Sequence, residues 1–156
     1  MSNTYLSFEI CGELFAVNVS KVLEVLQKQN ISIVPNAPHY VKGIINFRGE
    51  VVPVFESRTK FNLSERGVDA PYVIIVLDLS SENDEFRIGA IVDKVKDVIT
   101  ISDEDIKPVP AMSKDFNTEF IHGIFKQNEN FIMLLNVEKV FTSNELNEIQ
   151  NNATVE

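Results

Sequence analysis

The sequence predicts an all-β chain with one helix at its C-terminal end, and three features carry that prediction. Apolar and β-branched runs of strand length recur along the chain, separated by clusters of Gly, Pro, Asn and Asp. Almost nothing of helical length precedes Val137. Short blocks of the first half also return in the second half in the same order, the mark of an internal repeat.

Taken in order, Tyr5-Leu6-Ser7-Phe8-Glu9-Ile10 and Leu14-Phe15-Ala16-Val17 place apolar residues alternately around Gly12, which reads as two strands and a turn. Further strand-like runs are Ile31-Ser32-Ile33-Val34, Glu50-Val51-Val52-Pro53-Val54-Phe55, Tyr72 to Leu77, Phe86 to Val92, Val98-Ile99-Thr100-Ile101 and Asn130 to Leu135. Many short strands joined by turns form a barrel or a sandwich. The terminal helix is expected over about 137–150, with Ser143 capping its later part and Leu146 and Ile149 on one apolar face. Residues Asn151 to Glu156 read as a loose tail.

The repeat sets Val19-Ser20-Lys21-Val22-Leu23-Glu24-Val25 against Val92-Asp93-Lys94-Val95-Lys96-Asp97-Val98. Downstream, Val34-Pro35 matches Val109-Pro110, Tyr40 to Ile44 matches Phe120 to Ile124, and Val51 to Val54 matches Phe131 to Leu134. Two similar β subdomains follow, with a boundary in the polar stretch Ser64 to Pro71. Subdomain one is expected over about 14–72 and subdomain two over about 73–140, the first strand being open to sharing between them.

Bulk composition excludes several classes. The 156 residues suffice for a single domain or two small fused ones, and their 44% hydrophobic and 24% charged content is that of a globular protein. No apolar run approaches the ~20 residues that span a bilayer, and the start lacks a basic segment followed by an apolar one, so a cytoplasmic location without membrane insertion is expected. A formal charge of −9 disfavours nucleic acid as a partner. The single Cys11, among apolar neighbours, reads as a buried, inert thiol.

A search for chemistry returns no nucleophile with a base, no phosphate cradle and no metal-ligand spacing, so no cofactor and no enzyme activity are expected. His39 and His122 are isolated and read as turn or surface residues. The acidic stretches Asp103-Glu104-Asp105 and Glu82 to Glu85 lie in polar connections and read as solvated charge, which leaves an acidic hydrolase as the minor alternative. Asn46-Phe47-Arg48-Gly49-Glu50 stands out because it displays a permanent charge at a tight turn between apolar strands. From the residues alone, Arg48 is equally a partner-binding guanidinium or one that satisfies its own loop carbonyls. Gly43 and Gly49 are similarly open between a binding role and a backbone one.

The run Val34-Pro35-Asn36-Ala37-Pro38-His39-Tyr40-Val41-Lys42-Gly43-Ile44-Ile45-Asn46-Phe47-Arg48-Gly49, followed by Val52-Pro53-Val54, resembles the signature of the CheW family. Phe15 to Val25, Gly89 to Val98, Pro108-Val109-Pro110 and Leu135 to Lys139 are similar to other blocks of that family, so the resemblance spans nearly the whole chain. Phe47 stands where Leu is usual, and Glu56-Ser57-Arg58 replaces the common Asp-Leu-Arg. The resemblance implies two five-stranded SH3-like barrels related by a pseudo-twofold. It implies a non-enzymatic adaptor of bacterial chemotaxis that couples the signalling tips of methyl-accepting chemoreceptors to the regulatory domain of the histidine kinase CheA. By the same resemblance the receptor-facing groove maps onto Val22, Glu24, Gly43, Arg48, Gly49 and Val98, and the barrel ends meet the kinase, its contact residues here being unknown. A module of a CheV-type protein, which joins a similar domain to a phosphoreceiver, is the rival within the class; no receiver follows here, and a free-standing adaptor is the simpler expectation.

Overall fold

The hairpin at the N-terminus sets the pattern for the whole chain. In the computed structural model, which describes residues 1–82, 84–110 and 119–154 and the side chains through residue 150, β1 (Ser2–Ile10) turns at Cys11-Gly12 into β2 (Glu13–Asn18). Both turn residues have positive φ, 54° and 81°, which matches the right-handed twist of the flanking strands. A 3-10 turn at Val19–Lys21 leads to β3 (Val22–Leu26), and a long connection leads to the hairpin β4 (Val41–Phe47) and β5 (Glu50–Glu56). A single helical turn, α1 (Ser57–Lys60), closes this half. The second half repeats it as β6 (Val73–Asp78), β7 (Arg87–Val92), β8 (Lys94–Ser102), β9 (Ile121–Gln127) and β10 (Asn130–Leu135), before α2 (Ser143–Thr154).

Two five-stranded sheets result, ordered β8-β1-β2-β10-β9 and β3-β6-β7-β5-β4. Replacing each strand by its counterpart five places along the chain turns one order into the other. Register obeys the same rule: Val54 sits beside Gly89 in the parallel β5/β7 pair, and Leu134 beside Ala16 in the parallel β10/β2 pair. Ser32 bridges Ile44 as Lys107 bridges Ile124, so the chain leaving one edge strand bonds to the opposite edge of the same sheet and curls it towards a barrel.

The sheets do not divide the chain at residues 72 and 73. Strands β6 and β7 join β3, β4 and β5, while β1 and β2 join β8, β9 and β10, so each sheet draws on both repeats. The segment Ser64 to Pro71 lies in the connection between α1 and β6. The chain crosses from one sheet to the other after β2 and after β7, and this exchange separates sequence repeat from sheet membership.

Alternation along the strands then fills three cores. On β6, Ile74 and Val76 face the interior of their own sheet with Ile45, Phe47, Val52 and Val54, while Ile75 and Leu77 face a core shared by both sheets. On β2, Ala16 packs with Tyr5, Ile101, Ile132 and Leu134, while Phe15 and Val17 enter the shared core. Val140, Phe141 and Ile149 cover that core from the C-terminal end.

Some expected elements differ. Ile31 to Val34 is not a strand but supplies the single bridge at Ser32, and Val98 to Ile101 is part of the longer β8. The terminal helix starts later than expected: residues 137–139 form a 3-10 turn, and α2 continues to Thr154 through part of the anticipated tail, residues 155 and 156 lying outside the described residues. Its cap is Thr142 rather than Ser143, because the Thr142 hydroxyl accepts from the Glu145 amide while the Glu145 carboxylate accepts from the Thr142 amide, a reciprocal capping box.

Candidate functional site

The β4–β5 hairpin places Arg48 and Gly49 at its tip with φ of 53° and 85°. Two residues with positive φ are what a tight two-residue hairpin requires, and Gly49 meets that requirement without a β-carbon. Its amide donates to the Asn46 side chain at 2.9 Å, which fixes the turn. Arg48 accepts the left-handed backbone at a cost on the order of 1 kcal/mol, and its side chain is held from two sides. The guanidinium lies 4.8 Å over the Phe47 ring, and one of its nitrogens donates to the Glu24 carboxylate at 2.7 Å. It bonds to Glu24 across the sheet, from the hairpin tip to edge strand β3.

The two side chains remain 65% and 40% exposed, so the pair orients the guanidinium without burying it. Phe47, which stands where Leu is usual, supplies the platform beneath.

Gly43 has a different role. A β-carbon there would lie 2.1 Å from the Ser32 carbonyl oxygen, inside the bridge that curls the sheet. Its repeat counterpart Gly123 is also confined, though less rigidly, by the Ile106 side chain and, at 3.0 Å, the Lys107 carbonyl. Gly43 is buried, so it shapes the hairpin from beneath.

Val22 opens β3 opposite Leu77; it is half-buried and packs against the shared core. Val98 lies on the other sheet, on edge strand β8 opposite Leu6, and is 65% exposed. The structure thus joins Glu24, Arg48 and Gly49 directly, sets Gly43 under them, turns Val22 inward and places Val98 on the second sheet. The repeat pairs Val98 with Val25, not with Val22: Val25 faces Ile75 as Val98 faces Leu6. Val25 is also an exposed apolar residue on an edge strand, and the sequence blocks already aligned it with Val98.

A second charged assembly was not read from the sequence. Asp93 follows β7 and accepts from Arg58 at 3.1 and 2.6 Å, from Arg66 at 2.6 Å and from the Cys11 amide at 2.8 Å. Arg66 also grips Glu56 through two bonds of 3.0 and 2.9 Å. These four side chains are only 10–18% exposed. Burial alone would raise the Asp93 pKa, but the bonds from Arg58, the Cys11 amide and Arg66 prevail and hold it below the ordinary value.

Of the other flagged groups, His39 packs edge-on to Tyr40, His122 is an exposed residue of β9, and Asp103–Asp105 form a 3-10 turn. Cys11 is half-buried at the first hairpin turn, with positive φ. Among the described residues no group of three or more His, Cys, Asp or Glu is placed to hold a metal ion, and no helix is long and apolar enough to cross a membrane.

Comparison with known proteins finds a family model, CheW-like domain, matching residues 4–145. The chain is 30% identical over 147 residues to the chemotaxis protein CheW of Klebsiella aerogenes, covering 94% of this chain and 86% of that one. It is 32% identical over 140 residues to the chemotaxis protein CheW of Rhizobium meliloti, covering 90% and 88%. Among solved structures it superposes on the scaffolding protein TtCheW from Thermoanaerobacter tengcongensis with a TM-score of 0.80 and 29% identity, over 93% of this chain and 96% of that one.

Proposed function

The chain belongs to the CheW family of chemotaxis scaffold proteins, and from that premise we propose that it couples methyl-accepting chemoreceptors to the histidine kinase CheA without catalysing a reaction. The receptor-facing part is the hairpin tip with Arg48, Glu24 and Gly49, extended by the exposed valines of the two edge strands. Its kinase partner is the regulatory domain, and its place is the membrane-associated receptor array.

The observation that carries this reading is the state of Arg48. A guanidinium offers five donors in a rigid fork, and here the fork is tethered by Glu24 and propped on Phe47 while staying largely exposed. Such a group is oriented in advance for a carboxylate or carbonyl on a partner, so little freedom is lost on binding. The exposed Val25 and Val98 supply apolar anchors of the kind a helical hairpin offers in return.

The test is co-purification. The tagged protein is expected to retain both receptor and CheA from cells that contain them, and Arg48→Ala to lose receptor while keeping kinase. Retention of neither by the unaltered protein would refute the proposal.

A further inference from the structure

The two crossovers between the sheets are built differently, although the repeat makes them equivalent. After β2 the chain takes the Val19–Lys21 turn, capped by Asn18 and flanked by an exposed Lys21–Glu138 pair. After β7 it changes sheet through the single residue Asp93. Ser20 occupies the matching place in the first crossover, Asn136 matches Glu56, and Glu138 matches Arg58. Among the described residues, the four-member ionic assembly forms at the second crossover and not at the first.

Its four side chains and the Cys11 amide that bonds to it come from all the segments that meet there. Cys11 belongs to the β1–β2 turn of one sheet, Glu56 and Arg58 follow β5 of the other, and Arg66 lies in the connection to β6. The Asp93 amide also donates to the Glu9 carbonyl of β1 at 2.9 Å. Arg58 reaches further, to the Ser64 and Glu65 carbonyls. Two guanidinium cations balance two carboxylates, so the assembly is neutral and its bonds are satisfied locally.

The shared apolar core already holds the sheets together, but hydrophobic packing is non-directional and tolerates small rotations between layers. Forked ionic bonds do not. We propose that Asp93 is a positioning residue that locks the crossover and so sets the angle between the sheet bearing Arg48, Glu24 and Val25 and the sheet bearing Val98. This rests on the receptor-coupling reading only for its consequence in binding; the effect on geometry belongs to the chain alone. Glu56 holds Arg66, and Arg66 holds Asp93.

The test measures the angle directly. Spin labels are attached at Val51→Cys and Phe131→Cys, matching exposed positions of β5 and β10, in a Cys11→Ser background. The parent is expected to give one narrow inter-label distance. Asp93→Asn is expected to broaden or shift it while far-UV dichroism and cooperative unfolding persist, and to weaken binding of a receptor signalling fragment roughly 2- to 30-fold. Arg66→Gln, which spares the Asp93–Arg58 bonds, gives a smaller change of the same kind and serves where Asp93→Asn fails to fold. An unchanged distance in a folded variant overturns the lock, however much stability is lost. A changed distance with unchanged receptor affinity overturns its link to the binding face. Failure of the parent to bind receptor would sink the coupling proposal, while the distance measurement still decides the lock.

Discussion

Gly43 and Ser32 meet so closely that a β-carbon at residue 43 would stand 2.1 Å from the Ser32 carbonyl oxygen. The contact sits beside the bridge in which Ser32 and Ile44 exchange amide bonds of 2.9 and 2.8 Å, so it cannot open without breaking the curl of the sheet.

Gly43→Ala is therefore expected to destabilise the fold, by at least the ~1–3 kcal/mol typical of overpacking. Receptor binding would suffer only in proportion to the folded fraction. Gly123→Ala, at the matching position of the other sheet, should destabilise less, because its closest neighbour is the Ile106 side chain rather than backbone. Denaturant midpoints of the two variants check this, and normal stability of Gly43→Ala with lost receptor binding would assign Gly43 a direct contact.

Arg48→Ala should separate stability from recognition. The Arg48–Glu24 pair is exposed, and pairs of that kind contribute about 0–1 kcal/mol to folding. If the guanidinium meets a receptor acid or carbonyl, its removal costs about 1.5–3 kcal/mol of binding, roughly ten- to a hundredfold in affinity. Binding of a receptor signalling fragment, with CheA binding as the control, is the measurement. A large stability loss with unaltered receptor affinity would contradict the proposal.

Acid should loosen the molecule through Asp93 and Glu145. Burial raises both pKa values, but at Asp93 the bonds from Arg58, the Cys11 amide and Arg66 lower it further, and at Glu145 the Thr142 amide and Lys60 do the same. A carboxylate whose folded-state pKa is depressed adds stability that is present above its unfolded value and lost as pH falls through the folded one. The melting temperature should therefore begin to fall at about pH 4, and this acid limb should be shallower in Asp93→Asn. At neutral pH, Asp93→Asn leaves Arg58 and Arg66 short of a counter-charge, and because the cluster is only partly buried the loss should stay below the ~3–5 kcal/mol of a fully buried pair. A parallel acid limb in the variant would exclude Asp93 as its source.

Thr142→Ala should fray the terminal helix. It removes the hydroxyl that accepts from the Glu145 amide, a loss of about 1 kcal/mol. Glu145 also pairs with Lys60, whose ammonium lies 5.0 and 5.2 Å over the Tyr40 and Phe141 rings, so the first turn of α2 should keep its docking while its amides exchange faster. Hydrogen exchange along α2 reads this, and unchanged protection would place the cap elsewhere.

Much of the fold was legible in the residues themselves. Alternation along Tyr5 to Ile10 and the double-sided apolar run Val73 to Leu77 require strands buried on one or both faces, because side chains alternate across a strand. The matched blocks gave the repeat, and Arg48-Gly49 between apolar runs announced a displayed turn. These are local properties, and backbone sterics and solvent decide them within a few residues. Sheet membership was not local: β2 pairs in parallel with β10 and β5 with β7 across long loops, and the same alternation would serve any partner strand. Val22 reads like Val25 in sequence, and the bulge between Val22 and Glu24 sets both opposite residues of the shared core, Leu77 and Ile75, yet Val22 packs against that core while Val25 stays 37% exposed on the edge strand. The ionic assembly depended most on tertiary structure. Cys11, Glu56, Arg58, Arg66 and Asp93 lie up to 82 positions apart, and only the crossover after β7 brings them together. Burial there makes ionic pairing necessary, because an unpaired charge at that depth would be costly.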